Sequence, residues 1–286
     1  MKDGKNVKVW GIRSDLIGDI ITALPILNYL EKKLPGSYKN FSILKKVSQC
    51  APIFLNHPLI DRIKISDYYE GFGEKDLEII QDCEIVFNTR PNVVDFGEWF
   101  NKRGHVEESF LMAGLSKEEF DILDDWERRP KLELWFDAER KKGQIGIFPF
   151  AGYGNDFHRS PSVNWWNALI KDLKDYTVLH LGHFDEPKLD GAERLCNLSY
   201  FDIIKMACAC EFTISTNTGN SWVMGAYGLP QIVLSDYRFE QDGKRHNKNP
   251  SAMVPVNYKD LCISLFDPDA CDNIEREKVI ESIKLF

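Results

Sequence analysis

Two strand–glycine–helix turns, one in each half of the chain, narrow the fold more than any other feature. In the first, Val7, Val9 and Ile12 lead through Arg13, Ser14, Asp15, Leu16 and Ile17 to Gly18 and Asp19. Apolar residues at helical spacing follow, among them Ile20, Ala23, Leu24 and Leu27. In the second, Phe212 to Ser215 leads into Thr216, Asn217, Thr218, Gly219, Asn220 and Ser221. Such a turn sits at the carboxyl end of a parallel strand, where open α/β sheets place their ligands. Glycine there lets the backbone approach a bound group closely. One turn per half predicts two α/β domains facing a shared cleft.

The rest of the pattern agrees. Strands are expected at 8–12, 40–44, 60–65 and 83–88, with helices over 19–33 and 47–55. Pro25 interrupts the first of these helices or marks a first turn there. Residues 121–142 are charged and carry no period, which places a domain edge there. Strands are again expected at 144–149, 176–181, 212–215 and 231–234, alternating with helices over 163–173, 199–209 and 221–227. Strands alternating with helices predict parallel sheets. A chain of 286 residues accommodates two such domains, taken as 1–140 and 141–286. The last helix, over 273–285, is free to pack back on the N-terminal domain.

Charge and composition exclude several classes. A net charge of −8 and a pI near 5.4 argue against broad electrostatic capture of nucleic acid. No apolar run is long enough to span a bilayer. The polar start, Met1 to Asn6, leads straight into a strand and does not read as a signal peptide. Seven cysteines without a Cys-x-x-Cys pair fit a reduced, cytoplasmic protein. Cys208 and Cys210, in an apolar stretch, read as small hydrophobes.

Three segments carry candidate chemistry, each with a plainer alternative. The loop from Phe150 to Arg159 offers backbone amides at Gly152 and Gly154, then His158 and Arg159, then a helix start. Amides, a helix N-terminus and a guanidinium suit a diphosphate; the alternative is an ordinary surface turn. The segment Asn217, Thr218, Gly219 and Asn220 forms a second phosphate cradle, or simply caps a helix. Asp19 beside Gly18 is placed to act as a general base, or to cap helix amides, with Asp15 competing in the same turn. Gly-x-Gly-x-x-Gly and a Walker lysine are both absent from these turns. Asp267, Pro268 and Asp269 have the Asp-x-Asp form of metal-dependent sugar transferases, but lie beside an edge segment. His180 and His183 read as satisfied histidines before they read as metal ligands, and Trp165 with Trp166 as packing.

Taken in order, these residues resemble the lipopolysaccharide heptosyltransferases of glycosyltransferase family nine. The stretch Ile12 to Pro25 resembles that family's opening Arg…Gly-Asp…Leu-Pro signature. His105 to Leu111 resembles its mid-chain His-and-acid segment, and Ile147 to Gly152 its His-Pro-Gly-Ala loop. Asn217, Thr218 and Gly219 with Gly225 to Pro230 resemble its second glycine turn, and Cys271 to Val279 its C-terminal helix. The resemblance implies a GT-B architecture of two Rossmann-like domains with parallel sheets facing a central cleft. The N-terminal domain would be the acceptor side and the C-terminal domain the nucleotide-sugar side.

The resemblance also implies an inverting, metal-independent transfer of a sugar from a nucleoside-diphosphate sugar to a glycan or lipid-linked acceptor, with no resident cofactor and no metal. Asp19 then matches the catalytic aspartate. His158 or Arg159 would stabilise the leaving diphosphate, Thr218 and Gly219 would hold phosphates, and Asp185 or Glu186 would bind ribose hydroxyls. Gly18, Gly152, Gly154, Asn217 and Asn220 complete the expected donor side. The enzyme would work in the cytoplasm at the inner membrane face, where peripheral contact is left open. Three departures lie on the donor side: Asn217 in place of an acid, Trp222 in place of a histidine, and Phe148, Pro149, Phe150 in the His-Pro-Gly loop. They leave heptose open as the sugar. They also keep in view a non-catalytic nucleotide-sugar- or glycan-binding protein and a sugar-nucleotide epimerase or hydrolase.

Overall fold

A computed structural model describes residues 7–11, 17–66, 83–88, 105–151, 160–236, 240–241, 244–245, 259 and 261–286. The N-terminal half holds a parallel sheet of β1 (Val7–Gly11), β2 (Tyr38–Leu44), β3 (Arg62–Ser66) and β4 (Cys83–Asn88), in the order β3-β2-β1-β4. On β2 the polar Lys39 and Asn40 are buried along with Phe41 and Ile43. Both faces of the strand are therefore covered, as expected for a parallel sheet between helices. Lys39 is tolerated there because its ammonium meets the Glu31 carboxylate and donates to the Ser37 carbonyl.

The C-terminal half holds β5 (Lys141–Phe148), β6 (Thr177–His180), β7 (Glu193–Arg194), β8 (Cys210–Thr216), β9 (Gln231–Asp236) and β12 (Cys262–Asp267). They pair in parallel in the order β12-β9-β8-β5-β6-β7. A two-residue hairpin, β10 (Glu240–Gln241) and β11 (Lys244–Arg245), stands apart. Strand β12 was foreseen only as an edge segment. All six of its residues are half-buried, so it lacks the continuous apolar signal of β8 and β9.

Helices α1 (Ile17–Thr22) and α2 (Pro25–Lys33) replace the single helix expected over 19–33. Pro25 has no N–H to give Ile21, so the Ile21 carbonyl takes the Leu24 N–H at 3.1 Å and the chain turns. Proline then occupies the first position of α2, where its missing donor costs nothing. A ten-residue 3-10 segment, Lys45–Phe54, follows β2. Helices α3 (His105–Met112) and α4 (Lys117–Asp121) precede the linker; α4, not foreseen, ends at Asp121, where the region read as a domain edge begins. Helices α5 (Val163–Asp172), α6 (Tyr200–Cys208), α7 (Gly219–Ala226) and α8 (Arg276–Ile283) belong to the C-terminal half. Ser162 and Ser199 cap α5 and α6 by accepting the Trp165 and Asp202 amides, each at 3.2 Å.

The last helix, free by sequence to pack back on the N-terminal domain, packs on the C-terminal sheet. Val279 and Ile283 of α8, one turn apart, share an apolar cluster with Ile232 and Leu234 of β9. That stripe is the apolar side of an amphipathic helix, buried against β9. A second cluster joins the two halves. It runs from Ile20, Leu27, Phe41 and Phe54 to Ile204, Trp222, Val223 and Tyr227. Leu132 in the linker donates to the Ala226 carbonyl at 2.9 Å, and Trp135 stacks on Phe201 with centroids 5.0 Å apart. Trp165 and Trp166 are buried as packing residues, their indole N–H groups donating to Ile274 and Pro149 carbonyls. Asp267 caps its own turn through the Asp269 and Ala270 amides. No described helix is long and apolar enough to cross a membrane.

Candidate functional site

Strand order locates the site. In the N-terminal sheet the chain goes first to one side of β1, then crosses to β4 on the other. In the C-terminal sheet it does the same about β5, crossing to β8. Side-by-side strands whose connections leave in opposite directions open a crevice at their carboxyl ends, where α/β proteins bind ligands. Gly18 and Asp19 lie in the first turn of α1, which follows the carboxyl end of β1. Asn217, Thr218 and Gly219 follow the carboxyl end of β8.

Those two turns meet. A Cβ placed on Gly219 would stand 3.0 Å from the Gly18 backbone nitrogen and 3.1 Å from the Ile17 Cβ. One placed on Gly18 would stand 3.3 Å from the Trp222 indole and 3.6 Å from the Gly219 Cα. Any side chain at Gly219 would force the two helix starts apart. The paired glycines thus bring Asp19 and the Thr218–Gly219 turn to one place, although 200 residues separate them in sequence.

Each side of this crevice has its own support. Asp19 is half-buried, and its carbonyl accepts the Thr22 hydroxyl at 3.0 Å. Because Thr22 spends its proton on that carbonyl, the Ser109 hydroxyl of α3 donates to Thr22 across 2.8 Å. Thr22 and Ser109 are both buried, so this pair pins α1 to α3 behind Asp19. On the other side, the Thr218 amide donates to Ser221 Oγ at 3.1 Å, and that hydroxyl returns a bond of 2.7 Å to the Thr218 carbonyl. Thr218 Oγ1 is buried with no hydrogen-bond partner among the described residues. An orphaned hydroxyl at a helix N-terminus is ready to meet an anion oxygen. Asn220 Oδ1 accepts the Tyr200 hydroxyl at 3.0 Å, which steadies the second turn. Thr216 donates to the Phe148 carbonyl at 3.4 Å, joining the carboxyl ends of β8 and β5.

Gly152, Gly154, His158 and Arg159, and also Asp15, lie outside the described residues. The residues flanking that glycine loop are tied together: Ala151 donates to Ser160 Oγ at 2.7 Å. Asp185 and Glu186 follow β6, at the carboxyl edge of the same sheet. Asp185 is exposed, 3.5 Å from His183 Nδ1. Glu186 is turned inward. Its Oε2 lies 2.9 Å from His180 Nε2, and its Oε1 accepts the His183 amide at 2.9 Å. Its carboxylate fills the space over Gly182, where a Cβ would stand 2.1 Å from Oε2. The residues that spacing missed are Ser109, Tyr200 and the packing of Trp222 on Gly18. Only Thr22, three residues after Asp19, left a local signal.

No family model matches the chain, and no curated protein sequence matches it. Solved structures do. A glycosyl transferase of family 9 from Veillonella parvula DSM 2008 superposes with a TM-score of 0.71 at 15% identity, over 100% of this chain and 98% of that one. ADP-heptose lipopolysaccharide heptosyltransferase II of E. coli gives 0.69 at 14% identity, over 98% of each chain. The iron-containing dodecameric glycosyltransferase TibC from enterotoxigenic E. coli gives 0.61 at 14% identity, over 100% of this chain and 77% of that one. These likenesses span both halves and both sheets. The chain therefore has the α/β fold of these glycosyltransferases, the GT-B fold.

Proposed function

We propose that the chain is a glycosyltransferase moving a sugar, heptose or another, from a nucleoside-diphosphate sugar to a glycan or lipopolysaccharide-type acceptor. The observation that carries the reading is the meeting of Gly18 and Gly219, which brings the turn that bears the half-buried Asp19 up to the start of α7. The fold is shared with solved glycosyltransferases, one of them an ADP-heptose enzyme.

In this reading the acceptor enters beside Asp19. The carboxylate takes the proton of the acceptor hydroxyl as its oxygen attacks the anomeric carbon. The bond from that carbon to the donor diphosphate breaks on the opposite face, so configuration inverts. Negative charge builds on the departing diphosphate, which the α7 N-terminus and the Thr218 hydroxyl, unpartnered among the described residues, would stabilise. Arg159 or His158, from the loop closed by Ala151 and Ser160, adds a cation there. Asp185 reaches the ribose hydroxyls, since Glu186 is engaged with His180 and His183. The transfer step itself needs no metal ion, and the reaction takes place in the cytoplasm at the inner membrane face.

The test is thermal stabilisation by ADP, GDP, UDP and CMP, each with and without magnesium, followed by transfer assays on Asp19→Ala. A ligand that binds only the folded chain raises its melting temperature by mass action. The expected result is a magnesium-independent shift with one nucleoside diphosphate, kept in Asp19→Ala, while transfer falls by about a hundredfold or more. Full turnover in Asp19→Ala would remove it as the base. Nucleotide binding without transfer to any of a broad acceptor panel would favour a binding protein instead.

A further inference from the structure

The 181–196 segment after β6 holds a cluster that the transfer step does not use. His180 ends β6 and is fully buried. Glu186 comes back over Gly182 to place Oε2 2.9 Å from His180 Nε2. Cys196, also buried, lies beyond β7, with Sγ 3.6 Å from the His180 carbonyl oxygen, to which the thiol donates. One imidazole nitrogen, one carboxylate oxygen and the sulfur lie within 4.8 Å of one another. We propose that His180, Glu186 and Cys196 form a binding site for one zinc-class divalent metal ion, which fastens this segment to the end of β6.

Four observations carry the assignment. The first is the donor set. Imidazole, thiol and carboxylate together select zinc and its late first-row neighbours over magnesium or calcium, which take all-oxygen shells. The second is charge. A neutral imidazole, a carboxylate and a thiolate balance a dication, so the occupied site is neutral in its buried setting. The third is burial: His180 and Cys196 are buried and the Glu186 side chain is nearly so, which holds the three donors out of water. The fourth is a built second layer. The His183 amide holds the other Glu186 oxygen, Arg194 donates to the Glu186 carbonyl at 2.9 Å, and Leu195 donates to the His180 carbonyl at 2.9 Å. Such outer contacts orient the ligands of metal sites.

The fit needs only a small adjustment. Ligand atoms around a tetrahedral zinc sit roughly 3.3–3.8 Å apart, given metal–ligand distances of about 2.0–2.3 Å. The present spread closes with a shift on the order of 1 Å, well within a side-chain rotation. A thiol with the ordinary pKa of about 8.5 is protonated near neutral pH, and binding displaces that proton: one proton leaves for each ion bound, and sulfur donates to the metal. Three protein ligands leave a fourth position for water. Asp185, the proposed ribose contact, sits on the turn this ion would fasten, but the site stands or falls independently of the transferase reading.

The experiment is a titration of the purified, metal-stripped chain with Co2+, followed by absorbance. A thiolate bound to cobalt gives a sulfur-to-metal charge-transfer band in the near ultraviolet, a readout independent of transfer. Expected are one equivalent of Co2+, one proton released per ion, loss of the band on adding Zn2+, and a melting temperature raised by Zn2+ but not by Mg2+. Cys196→Ser should lose the band. Should that variant fail to fold, Glu186→Gln serves instead: the band is kept and cobalt affinity falls by about tenfold or more. Absence of a band in the parent chain overturns the proposal. So does a band that persists in Cys196→Ser, since another thiol would then be the ligand, or an unchanged affinity in Glu186→Gln.

Discussion

At the scale of single residues, glycine does the positioning. Gly219 has an ordinary negative φ, so alanine there meets no backbone strain and gains helix propensity. Its methyl would nevertheless press on the Gly18 nitrogen and on Ile17. Gly219→Ala should therefore destabilise the chain by about 1–3 kcal/mol, as overpacking does. It should lower transfer by more than the lost stability explains, because Asp19 and Thr218 are moved apart. Urea unfolding beside initial rates checks both. Gly18→Ala meets the Trp222 indole at 3.3 Å and the Gly219 Cα at 3.6 Å, looser contacts than those at Gly219, and should cost less. His57 makes a different prediction. Burial holds its imidazole down to about 4 from the ordinary 6.5, so the folded chain keeps it neutral. Between those values the unfolded chain binds the extra proton, and stability falls as pH drops from 6.5 toward 4, levelling below. His57→Gln should flatten that slope in melting curves taken across the window.

At the scale of elements, helix starts and stops follow local chemistry. Ser116, Glu119 and Tyr29 show how one short helix is kept. Glu119 Oε2 accepts the Ser116 amide at 2.8 Å, and Ser116 Oγ accepts the Glu119 amide at 3.2 Å. The same carboxylate accepts the Tyr29 hydroxyl of α2, and that bond is the main reason its pKa is lowered. A five-residue helix cannot persist on propensity alone, so these caps decide whether it forms. Ser116→Ala should cost about 1 kcal/mol in chemical denaturation. Glu119→Ala should cost more, since it removes the box and the Tyr29 bond together. The α1–α2 break was legible in Pro25, whereas α4 was not. Five residues among charges carry too little periodicity to stand out from a linker.

For the whole molecule, the two halves share one core. Ile20, Phe41 and Phe54 of the first half belong to the same buried cluster as Ile204, Val223 and Tyr227 of the second. Tyr227 also donates to the Ile53 carbonyl at 3.4 Å. Each large apolar side chain so buried contributes about 1.5–3 kcal/mol, and removing either half would expose them together. Calorimetry should therefore show one unfolding transition. Two resolved peaks would show that the halves unfold separately and that this shared cluster couples them weakly.

Alternating apolar runs, Pro25 and the two glycine turns were enough to name parallel α/β halves and to single out Asp19 and Thr218, because strand, helix and turn preferences act over a few residues. The closeness of Gly18 to Gly219 was beyond reach, since it depends on how two sheets pack across a shared core. The same holds for Ser109 behind Thr22. Glu186 shows the limit most clearly: its place in the chain suited a ribose contact, yet the fold turns it inward onto His180, with Cys196 ten residues further on completing the cluster. Side-chain direction and long-range proximity are properties of the packed structure, so only the tertiary fold decided them.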